Sequence, residues 1–175
     1  MYAITISASS RVQAFWEQVK RASAFERTSS IEALGYAPHL TLARFGEATP
    51  NSLLEAARSL QQTRAFSLTF DHIGYFDVNP IVLWLSPRPS QQLLDLHAEL
   101  HEHVDPQLCD PHYLPSCWTP HLTTASSVDV AHRDKVMEFV SLPFEPLSLS
   151  FDAIDVVSWP PVRILSRMPL QQVET

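Results

Sequence analysis

Apolar positions along this chain switch repeatedly between a period near two and a period near 3.6. These periods mark strands and amphipathic helices. The opening stretch Tyr2–Ala8 reads as a strand. Ser9 or Ser10 can cap a helix running to about Ala24, with Val12, Phe15, Trp16 and Val19 as its apolar stripe. Phe25–Ala37 reads as a loop and a natural place for a lid, and a strand His39–Phe45 follows. Thr49-Pro50 is a helix start, a cap followed by proline at the first helical position. That helix runs to about Gln62 through Leu53, Leu54, Ala57 and Leu60. Strands Ala65–Tyr75 and Ile81–Leu85 come next, joined by the turn Asp77-Val78-Asn79-Pro80.

The second half repeats this order. Ser90 caps a helix to about Val104, buried through Leu93, Leu96 and Leu100. Asp105–Thr119 is a Pro-rich loop, the counterpart of Phe25–Ala37. A strand His121–Ser126, a helix from about Asp129 to Val140, and strands Pro146–Ser158 and Val162–Arg167 complete the chain, and the tail Gln171–Thr175 is expected to fray. Strand–helix–strand–helix–strand, twice over, predicts an α+β or α/β domain.

The repeat is visible in the residues themselves. Pro38-His39-Leu40-Thr41-Leu42 returns as Pro120-His121-Leu122-Thr123-Thr124, and Ser67-Leu68-Thr69-Phe70-Asp71-His72-Ile73 returns as Ser148-Leu149-Ser150-Phe151-Asp152-Ala153-Ile154. Pro80 likewise meets Pro161. The histidines lie 82 residues apart and the aspartates 81, so the chain is an internal duplication with halves of about 1–79 and 80–175. Such a unit often packs as two lobes about a pseudo-two-fold axis.

In a strand, side chains at i and i+2 share a face. His39 therefore sits beside Thr41, and His121 beside Thr123, while Leu40, Leu42 and Leu122 turn to a core. Thr124, in place of Leu42, should face the core too. One His-x-Thr carries little meaning, since a histidine on a strand is usually structural. Two copies, each after a proline and each within repeated surroundings, carry more. On regular alternation Phe45 joins the His39 face and Arg44 points away from it.

Composition narrows the classes. The 175 residues suit one domain, or two small lobes sharing a core. No apolar run is long enough to span a membrane. The N-terminus lacks a basic region and a long apolar stretch, so no signal peptide is expected, and a cytoplasmic monomer is the default. The net charge of −7 argues against gripping a long nucleic-acid backbone. Two cysteines, Cys109 and Cys117, make no disulfide framework.

Paired His-x-Thr motifs at this separation, in a duplicated chain of this size, resemble the two-histidine (2H) phosphoesterase superfamily. That group includes the LigT-like 2′-5′ RNA ligases and the RNA and nucleotide cyclic phosphodiesterases. The resemblance spans nearly the whole chain and rests on the two tetrapeptides and their spacing. It implies a bilobal α+β fold, with two antiparallel-rich sheets lining a central cleft and helices outside. It also implies hydrolysis of a 2′,3′-cyclic phosphate or a 2′-5′ diester, in RNA ends or small nucleotides, without metal or cofactor. His39 and His121 would be the acid/base pair, and Thr41 and Thr123 the phosphate donors. His39 is assigned as acid and His121 as base, although the near-symmetry of the motifs leaves the order open. Tyr36, Tyr113 and Trp118, in the loops entering the motifs, and Phe45 are candidates for contacting a base; each could equally pack its loop onto the body. A module that binds a nucleotide in the same cleft without turnover is the alternative.

Other clusters carry less. His97 and His101 have metal-ligand spacing on a helix, but Glu99 breaks the H-E-x-x-H pattern, so a solvated face is expected. Cys109, His112 and Cys117 fit no standard zinc spacing and lack a fourth ligand. Arg163 and Arg167, on the last strand, are alternative positive groups. Asp71 and Asp152 repeat, either as support for the histidines or as turn residues.

Overall fold

The structure, a computed structural model, describes residues 1–10 and 12–172. The first half contributes β1 (Tyr2–Ser7), α1 (Gln13–Ala22), α2 (Ser30–Leu34), β2 (His39–Phe45), α3 (Pro50–Ser59) and β3 (Phe66–Phe76). The rest of the chain follows as β4 (Ile81–Pro87), α4 (Gln91–His101), β5 (Leu122–Val128), α5 (Arg133–Val140), β6 (Leu147–Phe151), β7 (Ala153–Ser158) and β8 (Arg163–Pro169). The strands form two antiparallel sheets ordered β2-β1-β7-β8 and β5-β4-β3-β6. Each sheet takes strands from both halves of the sequence. One continuous apolar core runs through both sheets and the helices, with Phe15, Phe45, Phe70 and Phe151 among its largest buried side chains.

The repeat meets itself in space. β3 and β6 pair so that Leu68 lies opposite Leu149, with Ser67 opposite Ser150 and Thr69 opposite Ser148. Leu68 faces its own copy, and each residue on one side of it faces the copy of the residue on the other side, the pairing that a local two-fold generates. Hydroxyl pairs at 2.8 Å, Ser67 with Ser150 and Thr69 with Ser148, mark the exposed face.

Several boundaries differ from the pattern reading. Helix α1 starts after Val12 with no side-chain cap. Ser9 instead gives its backbone N–H and its hydroxyl to Asp152 at 3.0 and 2.8 Å. The stretch read as a loop before β2 contains α2, capped by Ser29 and closed by Gly35 in the left-handed region at φ 59°. The stretch read as one strand, Pro146–Ser158, breaks at Asp152 into β6 and β7, which enter different sheets. Its copy Asp71 sits where β3 shifts register against β4, and accepts from the His72 ring and from Arg88. Both aspartates therefore sit where strand pairing is interrupted, Asp152 at the break between β6 and β7 and Asp71 at the register shift in β3. Thr49 and Ser90 cap α3 and α4 as expected. Gln171, in the stretch expected to fray, is bonded to Thr63 and Ala65 through its backbone; residues 173–175 lie outside the described range.

Both His-x-Thr strands are edge strands, and each is covered by segments from the other half of the chain. Helices α1 and α2 pack on β5. The Glu26 carboxylate accepts the backbone N–H of Ser126 and of Ser127. On β2, Cys109 bridges to Phe45, and the Asp110 N–H donates to the Arg44 carbonyl at 2.8 Å.

Candidate active site

The two histidines adopt the same local geometry. Nδ1 of His39 is 2.9 Å from the carbonyl of Ala37, and Nδ1 of His121 is 2.7 Å from the carbonyl of Thr119. A carbonyl only accepts, so both rings carry their proton on Nδ1 when neutral. Nε2 is then the nitrogen left for chemistry in both copies. Burial lowers the pKa of each imidazole. For His39, the Ala37 carbonyl and Asp155 oppose that fall and His121 adds to it. For His121, the Thr119 carbonyl opposes it and Arg44 adds to it.

Two concavities meet at this point. One, of about 270 Å³, is lined by His39, Thr41, Tyr36, Trp159 and Val162. The other, of about 600 Å³, is lined by His121, Thr119, Tyr75, Phe76 and Val82. Arg44, Tyr113, Thr123 and Ser126 line both, so the two form one cleft with a shared wall.

Arg44 and Ser126 are there because both motif strands are bulged at the same place. On β2, Thr41 pairs with Thr5 and Ala43 with Ile4, which leaves Leu42 without a partner on β1. On β5, Thr123 pairs with Trp84 and Ala125 with Leu83, which leaves Thr124 without one on β4. An extra residue reverses the alternation beyond it. The residue five after each histidine therefore turns into the cleft, Arg44 in one copy and Ser126 in the other. This overturns two expectations. Phe45 does not border the cleft but is 1% exposed in the core, and Arg44 faces the cleft instead of pointing away. The bulge is invisible in an alternation pattern. A hint lay in Ala43, an apolar residue directly after the apolar Leu42.

Arg44 is tied to the loop before β5. Its guanidinium donates to Asp110 through Nε at 2.9 Å and also through Nη2, and lies 5.5 Å from the centre of the Tyr113 ring. Burial pushes the Asp110 carboxyl up, but hydrogen bonds from His112 and Arg44 overcome it and hold it below its usual range.

Of the four candidates for base contact, Tyr113 and Tyr36 line the cleft. The Tyr36 ring sits 4.7 Å from that of His39. Its hydroxyl is committed elsewhere, donating to Asp155 at 2.6 Å and bonded to Thr5 at 2.8 Å, and burial followed by the Asp155 charge raises its pKa. Asp155 is fully buried and also accepts from Ser7 and from Arg167. Arg167 is thus consumed by an internal ion pair, and Arg163 is exposed and does not line the cleft. Trp118 does not line the cleft either. It stacks on His97 with ring centres 3.8 Å apart and donates to the Thr41 carbonyl at 3.1 Å.

The helix face of His97 and His101 is not solvated. His97 is 3% exposed, because α4 lies against the loop before β5, and burial with the neighbouring His101 lowers its pKa to about 4. Cys109 is buried and Cys117 exposed, both free thiols. On the His121 side, Trp84 and Phe76 flank the imidazole at ring-centre distances of 6.1 and 5.0 Å. Gly74 makes room for that indole, since a Cβ there would lie 2.5 Å from its ring.

Known proteins share this architecture. The crystal structure of E. coli LigT complexed with 3′-AMP matches with a TM-score of 0.64 at 19% identity, over 98% of each chain. The structure of TT0787 from Thermus thermophilus matches with a TM-score of 0.62 at 16% identity, over 99% of each chain. A curated relative from Oceanobacillus iheyensis, named "Putative phosphoesterase OB1230", is 30% identical over 97 residues. That stretch is 53% of this chain and spans about half, 54%, of the relative. The family model described as the 2′-5′ RNA ligase superfamily matches residues 4–162, nearly the whole chain. With the fold, the duplicated His-x-Thr strands and this match in agreement, the chain belongs to the 2′-5′ RNA ligase superfamily, the two-histidine phosphoesterases.

Proposed function

We propose that the cleft hydrolyses a ribonucleotide phosphodiester, either a 2′,3′-cyclic phosphate or a 2′-5′ linkage, through the paired histidines. The observation that carries this reading is the repeated imidazole geometry: two rings, each locked by Nδ1–H on a carbonyl two residues back, each beside a threonine of one cleft. In-line displacement places the attacking and leaving oxygens on opposite sides of phosphorus, and two imidazoles can serve both. Water attacks phosphorus while its proton passes to Nε2 of His121. The bond from phosphorus to the leaving oxygen breaks as that oxygen takes a proton from Nε2 of His39. A diester becomes a monoester and an alcohol, and proton exchange with solvent resets both rings. Thr41 and Thr123 donate to the non-bridging oxygens, and Arg44 offsets their charge.

The surroundings support this order of roles. Arg44 stands near His121 and disfavours imidazolium there, as suits a base. Asp155 favours imidazolium at His39, as suits an acid, though less than burial and His121 disfavour it. Because two imidazoles carry both proton transfers, the step calls for no metal.

The test is hydrolysis of a nucleoside 2′,3′-cyclic monophosphate and of a 2′-5′-linked dinucleotide in EDTA, by wild type, His39→Ala and His121→Ala. Removing either proton carrier should slow turnover by roughly 10²–10⁴-fold. Variants as active as wild type, or a wild type inert on both substrates, would overturn the reading.

A further inference from the structure

We infer that His101 and Trp118 are positioning residues that clamp the β2 bulge and so aim Arg44 into the cleft. The inference rests on the hydrolytic role proposed for that cleft. It starts from an edge-strand problem. Among the described residues β2 has one neighbouring strand, β1, and beyond it only the single bridge of Phe45 to Cys109, and its bulge leaves Leu42 without a partner on β1. A bulged edge strand can twist more than one way, because the unpaired residue is not held by the ladder. Here the backbone on either side of the bulge is held by side chains from the second half. The Trp118 indole N–H donates to the Thr41 carbonyl at 3.1 Å. Nε2 of His101 lies 3.3 Å from the Leu42 carbonyl, and since a carbonyl only accepts, Nε2 carries the proton. The Asp110 N–H takes the Arg44 carbonyl at 2.8 Å.

The donors are themselves fixed. Trp118 lies flat on His97, with an interplanar angle of 3°, and His97 is 4.4 Å from His101 between ring centres. His97 donates through Nε2 to the carbonyl of Tyr113 at 3.0 Å. A cluster of three rings, Trp118 stacked on His97 and His101 tilted against it, therefore grips both the β2 bulge and the loop that carries Tyr113 and Asp110, the neighbours of the Arg44 guanidinium. The bulge decides which way Arg44 points, so the clamp acts on the cleft through Arg44. The copy on β5 is held differently, by the Glu26 carboxylate on the N–H groups of Ser126 and Ser127. The clamp therefore belongs to the arginine-bearing strand.

The experiment is a double-mutant cycle on the diester that wild type hydrolyses. His101→Leu removes the donor at similar volume, and His101→Gln keeps an N–H donor. Each is measured alone and with Arg44→Ala. Misplacing a charge by about 1 Å can cost up to roughly 100-fold, so His101→Leu should lower kcat on the order of tenfold with a smaller change in KM. His101→Gln should restore most of that loss. In the Arg44→Ala background, His101→Leu should change kcat by less than about twofold, because residues acting through one another are not additive. The same fold-loss in both backgrounds, or equal losses for Leu and Gln, would overturn the clamp. If His101→Leu does not fold, Trp118→Phe, which keeps the stacked ring and removes the N–H, takes its place. If wild type hydrolyses neither diester, the proposed function fails, and the clamp is read from the Arg44 Nε–H resonance by NMR. That resonance should move in His101→Leu and stay near its place in His101→Gln. A resonance unmoved in His101→Leu would overturn the clamp by itself.

Discussion

Replacing Asp155 probes the support beneath His39. The carboxylate is fully buried, and four hydrogen bonds converge on it. Oδ2 accepts from Ser7 at 2.8 Å, from Tyr36 at 2.6 Å and from Arg167 Nη2 at 2.8 Å, while Oδ1 accepts from Arg167 Nε at 2.8 Å. Asp155→Ala leaves all of these donors without their acceptor. Breaking one partner out of a buried ion pair costs about 3–5 kcal/mol. The Arg167 side chain is 40% exposed and can rehydrate, so the lower end applies, about 3 kcal/mol. For a chain of this size, about 2–4 °C per kcal/mol gives a fall in melting temperature of roughly 6–12 °C. Tyr36→Phe alone removes the bond to this charged acceptor, about 1.5 kcal/mol, together with the bond to Thr5, about 1 kcal/mol. Combined with Asp155→Ala it should cost only the Thr5 bond, about 1 kcal/mol, because the charged acceptor is already gone. Urea denaturation of the four proteins measures the cycle. Additivity within about 0.5 kcal/mol would refute the network as drawn. Its acid dependence has a definite sign. Burial pushes the Asp155 carboxyl up, but its hydrogen bonds from Arg167, Tyr36 and Ser7 more than offset this. Its folded pKa is thus depressed, so its contribution is present above the ordinary carboxylate value and is lost as pH falls through the folded one. Asp155→Asn should lose less stability than wild type over that acid range.

Other outcomes follow from the same geometry. Gly74→Ala would press a Cβ to 2.5 Å from the Trp84 indole and displace it. The expected cost is about 1–3 kcal/mol by thermal melting, with a fall in turnover through the neighbouring His121; an unchanged melting temperature refutes the contact. The pKa of His97 is lowered to about 4, so the unfolded chain takes up this proton at higher pH than the folded one. Stability is then whole above 6.5 and falls as pH drops toward 4, by about 3 kcal/mol at 1.36 kcal/mol per pH unit. His97→Phe should flatten that slope in denaturant titrations, and parallel slopes would remove His97 as its source. Both motif histidines lie below 6.5 in the free cleft, so kcat/KM should peak on the acid side of 6.5; a maximum above pH 8 would contradict the pair. Ser90→Ala removes the cap of α4 and should cost about 1 kcal/mol, read as a shift in the urea midpoint.

What the sequence alone determined was the local and the repeated. Proline before each motif, hydroxyls beside the histidines, caps at Thr49 and Ser90 and the copied Ser-Leu-Thr/Ser-Phe-Asp stretch all depend on neighbours in the chain, so they could be read in order. The strand of the first motif, His39–Phe45, was legible to the residue for the same reason. Tertiary structure decided whatever depends on a partner strand. The bulges at Leu42 and Thr124 exist only because β1 and β4 have one residue fewer at those points, and they send Phe45 into the core and Arg44 into the cleft. The break at Asp152 exists because two sheets compete for one extended stretch. Helix α4 looked solvated at His97 because period alone cannot show that a loop from residue 105 to 119 lies over that face. The histidines were named by the chain; the arginine that shares their cleft was placed by the sheet.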